Sequence, residues 1–242
     1  MNGVALVTGG SQGIGLGISQ ALKAAGFDVA VAALPGAQAP EGMAFFPADL
    51  ANVAGAKGLV DRVQAACGPI SCLVSNAGVP ARVRGDVLDV TPENFDFTLG
   101  VNLRGAFFLA QEIARRMIAR EGGSYRSLIF VTSVSAEMVS VERAEYCISK
   151  AGASMMVKLF AARMAAAGVG VFELRPGIIA TPMTAGVAGK YDAAIAGGLV
   201  PAGRWGQPED IARIVVPMAT GAMAFATGAV VPVDGGLSIP RF

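Results

Sequence analysis

VALVTGGSQGIG, residues 4–15, decides the fold of this chain. Its first five residues predict a buried strand, and Ile14, Ile18 and Leu22 follow at the spacing of a helix. At such a turn the positive end of the helix dipole faces outward, and glycines let a pyrophosphate approach the backbone. A tight turn without a ligand is the alternative, because a glycine triplet alone is weak evidence. The stretch therefore predicts a strand, a turn and a helix, with phosphate binding as the functional hypothesis.

Short apolar runs alternate with longer helical segments along the rest of the chain. Hydrophobic strands separated by helices indicate a parallel sheet that is covered by helices on both faces. We therefore expect an α/β, Rossmann-like, doubly wound fold of about seven strands. Length alone allows one domain or two, but no linker, repeat or low-complexity tract interrupts residues 1–242, so we expect one. The predicted strands are 4–8, 29–33, 43–46, 70–74, 128–132, 169–172 and 229–231.

Composition and charge exclude several classes of protein. Hydrophobic residues make up 53% of the chain and charged residues 15%, which argues against disorder. A net charge of +1 without a dense Lys/Arg cluster favours neither nucleic acid nor an anionic membrane, so we expect a small-molecule partner. The chain starts without a basic region or a cleavage site, and we therefore expect a cytoplasmic protein.

The absence of histidine limits the chemistry that the chain can perform. It excludes Ser-His-Asp and Cys-His arrangements and removes the commonest metal ligand. The three cysteines, Cys67, Cys72 and Cys147, lack the spacing of a metal site. We expect no metal, and proton chemistry must fall to Tyr, Lys, Asp, Glu or Cys.

Residues 214–233 carry no charge and are numerous enough to span a membrane. Within them, Pro217, Gly221, Gly228 and Pro232 are expected to break a helix. We therefore interpret this segment as a helix, a turn and a buried strand.

The end of the second predicted strand bears on the choice of cofactor. Nucleotide-binding folds often carry an acidic residue there for the adenosine ribose, but Ala33 and its neighbours offer none. The missing carboxylate removes repulsion against a 2′-phosphate, while Gln12 supplies no cation, so NADP(H) is mildly preferred and NAD(H) is possible. Asp49, after the third strand, either accepts a hydrogen bond from the adenine amino group or is an ordinary solvated loop residue.

Tyr146 and Lys150 form the candidate proton-handling pair. They lie four residues apart in segment 143–164, which is predicted to be helical, so their side chains share one face. A phenol is a poor acid or base near neutral pH, but an adjacent ammonium stabilises the phenolate and makes it a usable general acid or base. Such pairs also arise by chance on solvated helix faces.

Ser133 and Asn102 strengthen the catalytic interpretation of that pair. Ser133 follows the apolar run 128–132, and doubly wound folds place their ligands at the carboxyl ends of their strands. Its hydroxyl is therefore expected to hold a carbonyl oxygen. Asn102 precedes an apolar helix, where it either caps that helix or orients a water that relays protons to Lys150.

Taken together, these residues resemble the motifs of the short-chain dehydrogenase/reductases over essentially the whole chain. The matching motifs are Thr8-Gly9-x-x-x-Gly13-x-Gly15, Asn76-Ala77-Gly78, Asn102, Ser133, Tyr146-x-x-x-Lys150, Pro176-Gly177 and Asp234-Gly235-Gly236. The resemblance implies an NAD(P)-dependent oxidoreductase that transfers a hydride between nicotinamide and a carbonyl or a secondary alcohol.

The resemblance also implies a role for each matching residue. Tyr146 would donate or accept the proton and Ser133 would hydrogen-bond the substrate oxygen. Lys150 would assist Tyr146 and bind the nicotinamide ribose, while Asn102 would support a proton relay. The implied cofactor-binding residues are Gly9, Ser11, Gln12, Gly13, Ile14, Gly15, Asp49, Leu50, Asn76, Ala77, Gly78, Tyr146, Lys150, Pro176, Gly177, Ile179 and Thr181.

Segment 200–211, VPAGRWGQPEDI, looks like the 3-oxoacyl-[acyl-carrier-protein] reductase branch of that family. That branch tends to present arginines to the acidic carrier where this chain has Ser124 and Ala167, although Arg126 and Arg163 lie nearby. A 3-oxoacyl thioester is the first expected substrate, and use of a carrier protein stays open.

Two alternatives to a thioester reductase remain. The expected pocket walls are Glu137, Met138, Val139, Glu142, Arg143 and segment 184–199. Because two of these residues are acidic, a polyol or sugar dehydrogenase is the runner-up. A cofactor-binding regulatory protein without turnover is the alternative from another class.

Two further expectations concern mobility and assembly. Glycines in segment 184–199 are typical of a lid that closes over substrate. The predicted helices 105–117 and 153–164 carry more apolar side chains than one sheet contact needs, which suggests subunit contacts. The family is commonly tetrameric, so we expect a homotetramer.

Overall fold

A computed structural model describes residues 2–241, and its strands form one seven-stranded sheet. All neighbouring strands are parallel, in the order β3-β2-β1-β4-β5-β6-β7. The strand order reverses between β1 and β4, which is where doubly wound folds bind ligands. The expected fold class is confirmed. The strands are β1 Val4–Thr8, β2 Asp28–Ala33, β3 Ala44–Pro47, β4 Ile70–Ser75, β5 Arg126–Val131, β6 Val169–Pro176 and β7 Val230–Val233.

The helices connect the strands as crossovers and cover both faces of the sheet. Sequence signals explain several of their ends: the Thr91 hydroxyl caps α3 and Pro92 opens it, while Gly221 ends α8 with φ +92°. A π-helix, Gly100–Gly105, precedes α4. The helices are α1 Gly13–Ala24, α2 Ala56–Cys67, α3 Pro92–Leu99, α4 Ala106–Ala119, α5 Ala144–Met164, α6 Pro182–Ala185, α7 Ala188–Ala196 and α8 Pro208–Thr220.

The core has two layers, one on each face of the sheet. Alternate side chains of a strand point to opposite faces, so Leu6 of β1 joins the layer under α2, α4 and α5, while Val7 joins the layer under α1 and α8. Helices α1 and α8 supply fully buried side chains such as Ile18 and Val215 to the second layer. The two layers hold the carboxyl ends of the strands at one rigid edge.

Segment 214–233 corrects one expectation. Pro217 lies inside α8, so the prediction that it breaks the helix was wrong. The lost backbone hydrogen bond is offset by packing, because Ile211, Val215 and Met218 on the same helix are completely buried. The rest of the segment forms the predicted turn and strand β7, with Pro232 in that edge strand. Among residues 2–241, no helix is long and apolar enough to cross a membrane.

Candidate active site

A cavity of about 350 Å³ opens at the carboxyl ends of β1, β4, β5 and β6. It lies at the point where the strand order reverses. Fourteen of the predicted cofactor-binding residues line it, namely Gly9, Gln12, Gly13, Ile14, Gly15, Asn76, Ala77, Gly78, Tyr146, Lys150, Pro176, Gly177, Ile179 and Thr181. The cavity therefore collects side chains and backbone from motifs that are far apart in sequence.

The glycine turn after β1 forms one wall of this cavity. Gly9 and Gly13 have φ values of +65° and +51°, which disfavour any side chain. A Cβ atom on Gly15 would lie 2.1 Å from the carbonyl oxygen of Gly9, so only glycine fits this close approach. Gln12 makes no side-chain cap to α1, and the first turn of α1 has no acidic residue. The free backbone N–H groups and the positive dipole at the N-terminus of α1 thus fit an anionic group such as a pyrophosphate.

Thr8 and Asn76 fasten this turn to the end of β4. The Thr8 hydroxyl accepts hydrogen bonds from the backbone N–H groups of Asn76 and Ala77, both at 3.0 Å. The Asn76 amide donates to the Thr8 carbonyl oxygen at 3.0 Å. These bonds bring the segment from Asn76 to Gly78 beside the glycine turn, as the motif order suggested.

Asn102 lies in the π-helix before α4 and is almost fully buried, with 4% of its surface exposed. Of the two alternatives left open for it, a helix cap is excluded, because the chain is helical on both sides of it. Its side chain accepts from Val79 N–H at 2.7 Å and donates to the Val79 carbonyl oxygen at 3.0 Å and to the Ser149 hydroxyl at 3.1 Å. Asn102 thus joins the loop after β4 to helix α5.

Helix α5 presents Tyr146 and Lys150 to the cavity, as the spacing predicted. Only 6% of Lys150 is exposed, and its Nζ donates to the Val131 carbonyl oxygen at 3.2 Å. The same Nζ lies 5.6 Å from the centre of the Tyr146 ring. Ser133, at the end of β5, is 8% exposed, and its Oγ accepts from Ser135 N–H at 3.0 Å. A hydroxyl, a phenol and an ammonium therefore line one cavity.

The opposite wall comes from the segment after β6. A Cβ atom on Gly177 would lie 2.7 Å from the Cβ of Asp234, so this glycine allows the chain to pass closely beside the end of β7. The Thr184 hydroxyl accepts from Thr181 N–H at 3.0 Å and donates to the Ile179 carbonyl oxygen at 2.8 Å. These bonds fix Ile179 and Thr181 in the wall.

Three predicted cofactor residues, Ser11, Asp49 and Leu50, lie outside the cavity lining. The Asp49 carboxylate accepts from the Ala51 N–H at 2.9 Å in a local turn. Together with Leu50 it lines a separate cavity of about 230 Å³ beside Pro35. The loop after β3 thus adjoins the β2 end, where the adenosine half of a dinucleotide was expected, but not the main cavity.

The substrate side of the cavity is mainly apolar, and one prediction about it was wrong. Met138, Val139 and Arg143 line it as expected, but Glu137 and Glu142 do not. Both carboxylates are drawn to cations on other segments: the first lies 2.5 Å from Arg175 and the second 3.2 Å from Lys190. The argument from acidity for a polyol substrate therefore loses its basis.

Sequence reasoning missed several residues of the lining. Pro80 and Arg84 belong to the irregular loop after β4, and Leu237 comes from the segment after β7. No local pattern marks these positions, because the loops reach the cavity only through the folding of the sheet. The Cys72 thiol, by contrast, is not part of the site, and burial raises its pKa to about 12.

Segment 184–199 contains the second half of α6 and all of α7, and its Thr184, Tyr191 and Leu199 line the cavity. Tyr191 of α7 lines the cavity and lies edge-to-face on Trp205, with 5.7 Å between the ring centres. The Trp205 indole N–H donates to the Asp192 carboxylate at 2.7 Å. These contacts hold α7 against the body of the protein; its mobility stays a prediction.

Comparisons with known proteins agree with this geometry. The family model described as enoyl-(acyl carrier protein) reductase matches residues 9–238. The 3-oxoacyl-[acyl-carrier-protein] reductase MabA of Mycobacterium tuberculosis is 35% identical, covering 97% of this chain and 92% of MabA. The acetoacetyl-CoA reductase of Shinella zoogloeoides is 34% identical, covering 98% of each chain.

A solved structure extends the similarity to three dimensions. The 3-oxoacyl-[acyl-carrier protein] reductase from Brucella melitensis, in complex with NAD, superposes with a TM-score of 0.95. It is 48% identical and covers 100% of this chain and 99% of its own. The glycine turn, the Ser133, Tyr146 and Lys150 cluster and these similarities lead to one conclusion: the chain is a nicotinamide-dependent oxidoreductase and belongs to the short-chain dehydrogenase/reductase family.

Proposed function

We propose that this protein reduces the keto group of a 3-oxoacyl thioester, with residues 1–242 working as one NAD(P)-binding domain. One observation carries the proposal: Ser133, Tyr146 and Lys150 line the same cavity as the N-terminus of α1. A bound nicotinamide dinucleotide supplies the hydride. The protein must then bind the carbonyl oxygen and deliver a proton to it.

Three side chains divide the proton chemistry between them. The Ser133 hydroxyl hydrogen-bonds the substrate oxygen, and the Tyr146 hydroxyl donates the proton to that oxygen as negative charge develops on it. Lys150 uses one of its three N–H donors on Val131, which leaves two for Tyr146 and the nicotinamide ribose. In the direction of alcohol oxidation, the Tyr146 phenolate accepts the proton instead.

Asn102 is proposed to support the proton relay by holding the walls of the site. Its Oδ1 accepts from Val79, and both of its Nδ2 donors are used on Val79 and Ser149, so it keeps the loop after β4 and the helix of Lys150 in register. A relay water is proposed to lie beside Lys150.

The cofactor is proposed to extend from the end of β2 to the segment after β6. Its pyrophosphate would face residues Gly9 to Gly15, with Ser11, Asp49 and Leu50 towards adenosine, Asn76, Ala77 and Gly78 beneath it, and Pro176, Gly177, Ile179 and Thr181 at the nicotinamide. We propose a mild preference for NADP(H), since no carboxylate follows β2 to repel a 2′-phosphate. Fluorescence titration with NADPH and NADH tests this preference; clearly tighter NADH binding overturns it.

The thioester assignment is supported by the lining of the cavity and by the names of the similar proteins. The substrate side offers apolar side chains to an acyl chain, among them Met138, Met183, Leu199 and Leu237. Among residues 2–241, the lining includes no Asp or Glu, whereas Arg84 and Arg143 both belong to it. A pocket of this composition suits an acyl thioester better than a cationic or polyhydroxylated substrate.

A panel assay tests the substrate class. Acetoacetyl-CoA and an acetoacetyl carrier protein are compared with a 1,3-diketone, a sugar alcohol and the matching enoyl thioester, each with both cofactors. We expect the 3-oxoacyl thioesters to show the highest kcat/KM. If a sugar alcohol gives the highest kcat/KM, the protein is a polyol or sugar dehydrogenase instead. If the enoyl thioester gives the highest value, it is a double-bond reductase. No turnover in the entire panel, together with tight cofactor binding, would favour the regulatory alternative.

Two further features belong to the proposal. The exposed apolar side chains Phe108, Met155 and Leu159 on α4 and α5 support a homotetramer. A location in the cytoplasm is also proposed, in keeping with the free thiols Cys67, Cys72 and Cys147. Arg126 is not available to an acyl carrier protein, because its guanidinium donates to the carbonyl oxygens of Met117, Arg120 and Ala167. Free thioesters and carrier-bound ones are therefore both in the panel.

A further inference from the structure

Strand β6 carries a buried charge that the proposed chemistry does not use. Glu173 is 0% exposed, on the strand between β5 and the edge strand β7, and Arg175 is 8% exposed. Alternate residues of a strand point to the same face, so both side chains lie on the face of Val169 and Val171. That face packs against α5. Neither residue lines the cavity, so the pair acts on the site only through other residues.

Every polar atom of Glu173 has a partner. Its Oε1 accepts from the Thr132 hydroxyl and from Arg175 Nε, both at 2.7 Å. Its Oε2 accepts from the Ser154 hydroxyl at 2.8 Å, and that hydroxyl accepts in turn from Arg175 at 2.8 Å. The remaining guanidinium nitrogen of Arg175 lies 2.5 Å from the exposed carboxylate of Glu137.

The partners lie beside the residues of the active site on four segments. Thr132 precedes Ser133, and Ser154 lies one helical turn after Lys150 on α5. Arg175 precedes Pro176, and Glu137 precedes Met138, both in the cavity lining. Lys150 itself bonds the carbonyl oxygen of Val131, next to Thr132. The Glu173–Arg175 ion pair therefore connects the end of β5, helix α5, the segment after β6 and the loop that carries Met138.

We propose that Glu173 and Arg175 are positioning residues, which hold Ser133 and Lys150 at the separation that proton and hydride transfer require. The proposal rests on the proposed function for the roles of those two residues. A buried ion pair adds little stability compared with apolar side chains of similar volume, whereas removing one partner alone is costly. The pair contacts four segments that carry residues of the site, so its loss would shift those residues relative to one another. Displacements of about 1 Å can reduce turnover about 100-fold.

The main test replaces both charges together, as Glu173→Met with Arg175→Met. No unpaired buried charge remains, so the variant is expected to fold with a Tm equal to or above that of the parent. We expect kcat to fall about tenfold or more, while the Kd for NADPH changes by less than about twofold. If the pair only stabilises the fold, a double variant with the Tm of the parent also keeps the kcat of the parent.

A second set of variants keeps the test decisive if the double variant does not fold. Thr132→Val removes one hydroxyl bond without changing shape, Ser154→Ala removes the bond to α5, and Thr132→Ser restores the hydroxyl. The control is Thr98→Val, because Thr98 is equally buried and its hydroxyl has no partner within residues 2–241. We expect lower kcat in the first two variants, recovery in the third and parent values in the control.

Hydrogen exchange gives a readout that does not depend on turnover. In Thr132→Val and in the double variant, peptides covering residues 131–138 and the first turns of α5 should exchange about tenfold faster. Peptides from β1 and β2 should keep the parent rates. Unchanged local exchange together with unchanged kcat overturns the proposal. If the parent reduces no carbonyl, the thioester function fails in the panel assay, while exchange still decides whether the pair orders these segments.

Discussion

At the scale of single residues, Tyr146 is the residue on which the proposed proton transfer depends. It lines the cavity, and Lys150 lies 5.6 Å from the centre of its ring. Changing Tyr146→Phe removes only the hydroxyl, so cofactor binding should stay within about twofold. General acid–base groups contribute about 100- to 10,000-fold, so kcat should fall by that amount. Stopped-flow turnover and NADPH fluorescence measure the two effects, and undiminished turnover would refute the mechanism.

Gly15 provides a second test at this scale, of the glycine turn. A Cβ atom there would meet the Gly9 carbonyl oxygen at 2.1 Å, so Gly15→Ala must push the turn out of place. We expect the Kd for the dinucleotide to rise at least about tenfold, since the backbone N–H groups no longer converge on the pyrophosphate.

The matched control for this test is Gly58→Ala in α2. Its Cβ would meet only the Arg62 guanidinium, at an ordinary 3.8 Å. An alanine inside a helix is favoured by about 0.5–1 kcal/mol over glycine, so this variant should melt slightly higher and bind cofactor normally. Equal binding by both variants would contradict the assignment of the turn to phosphate.

At the scale of elements, the start of α8 depends on one ion pair. The Asp210 carboxylate accepts from Gln207 N–H at 2.8 Å and lies 2.7 Å from Arg204. The hydrogen bonds from Arg204 and then from Gln207 lower the pKa of Asp210 from 3.8 to about 2. Because the pKa is lower in the folded state, this contribution to stability is present above about pH 4 and is lost as the pH falls towards 2.

Asp210→Asn should therefore lower the free energy of unfolding at pH 7 but have little effect near pH 2. Urea unfolding at several pH values measures the difference between variant and parent. Glu209→Gln is the control, since Glu209 lies in the same first turn of α8 without an ion pair among the described residues. A pH-independent difference between Asp210→Asn and the parent would show that the charge is not responsible.

At the scale of the whole molecule, helices α4 and α5 leave apolar side chains in solvent. Met155 and Leu159 are 54% and 60% exposed and lie four residues apart on α5, so they form one stripe. We expect light scattering to give the mass of a tetramer at micromolar concentration. Met155→Glu combined with Leu159→Glu should reduce that mass, because charges cannot be buried unpaired.

Leu88→Glu is the control for this prediction. Leu88 is 89% exposed, in the loop after β4, and is not part of the stripe formed by Met155 and Leu159. Its substitution should leave the mass unchanged. A parent protein that scatters as a monomer would remove the basis of the homotetramer.

The sequence by itself determined the features that depend on neighbours along the chain. Strand and helix alternation, the glycine turn and the spacing of Tyr146 and Lys150 follow from local periodicity, and the structure contains all of them. These patterns were readable because a strand repeats every two residues and a helix every 3.6, whatever the rest of the protein does. The alternation of apolar strands with helices was enough to predict the doubly wound sheet.

Only the tertiary structure decided which distant groups meet. Glu137 and Glu142 left the predicted pocket because cations on β6 and α7 attract them, and Leu237 entered it from the other end of the chain. Pro217 stays helical because Ile211, Val215 and Met218 of the same helix are packed in the core. Such outcomes depend on burial and on charge pairs between segments that are far apart in sequence, and no local period encodes these contacts.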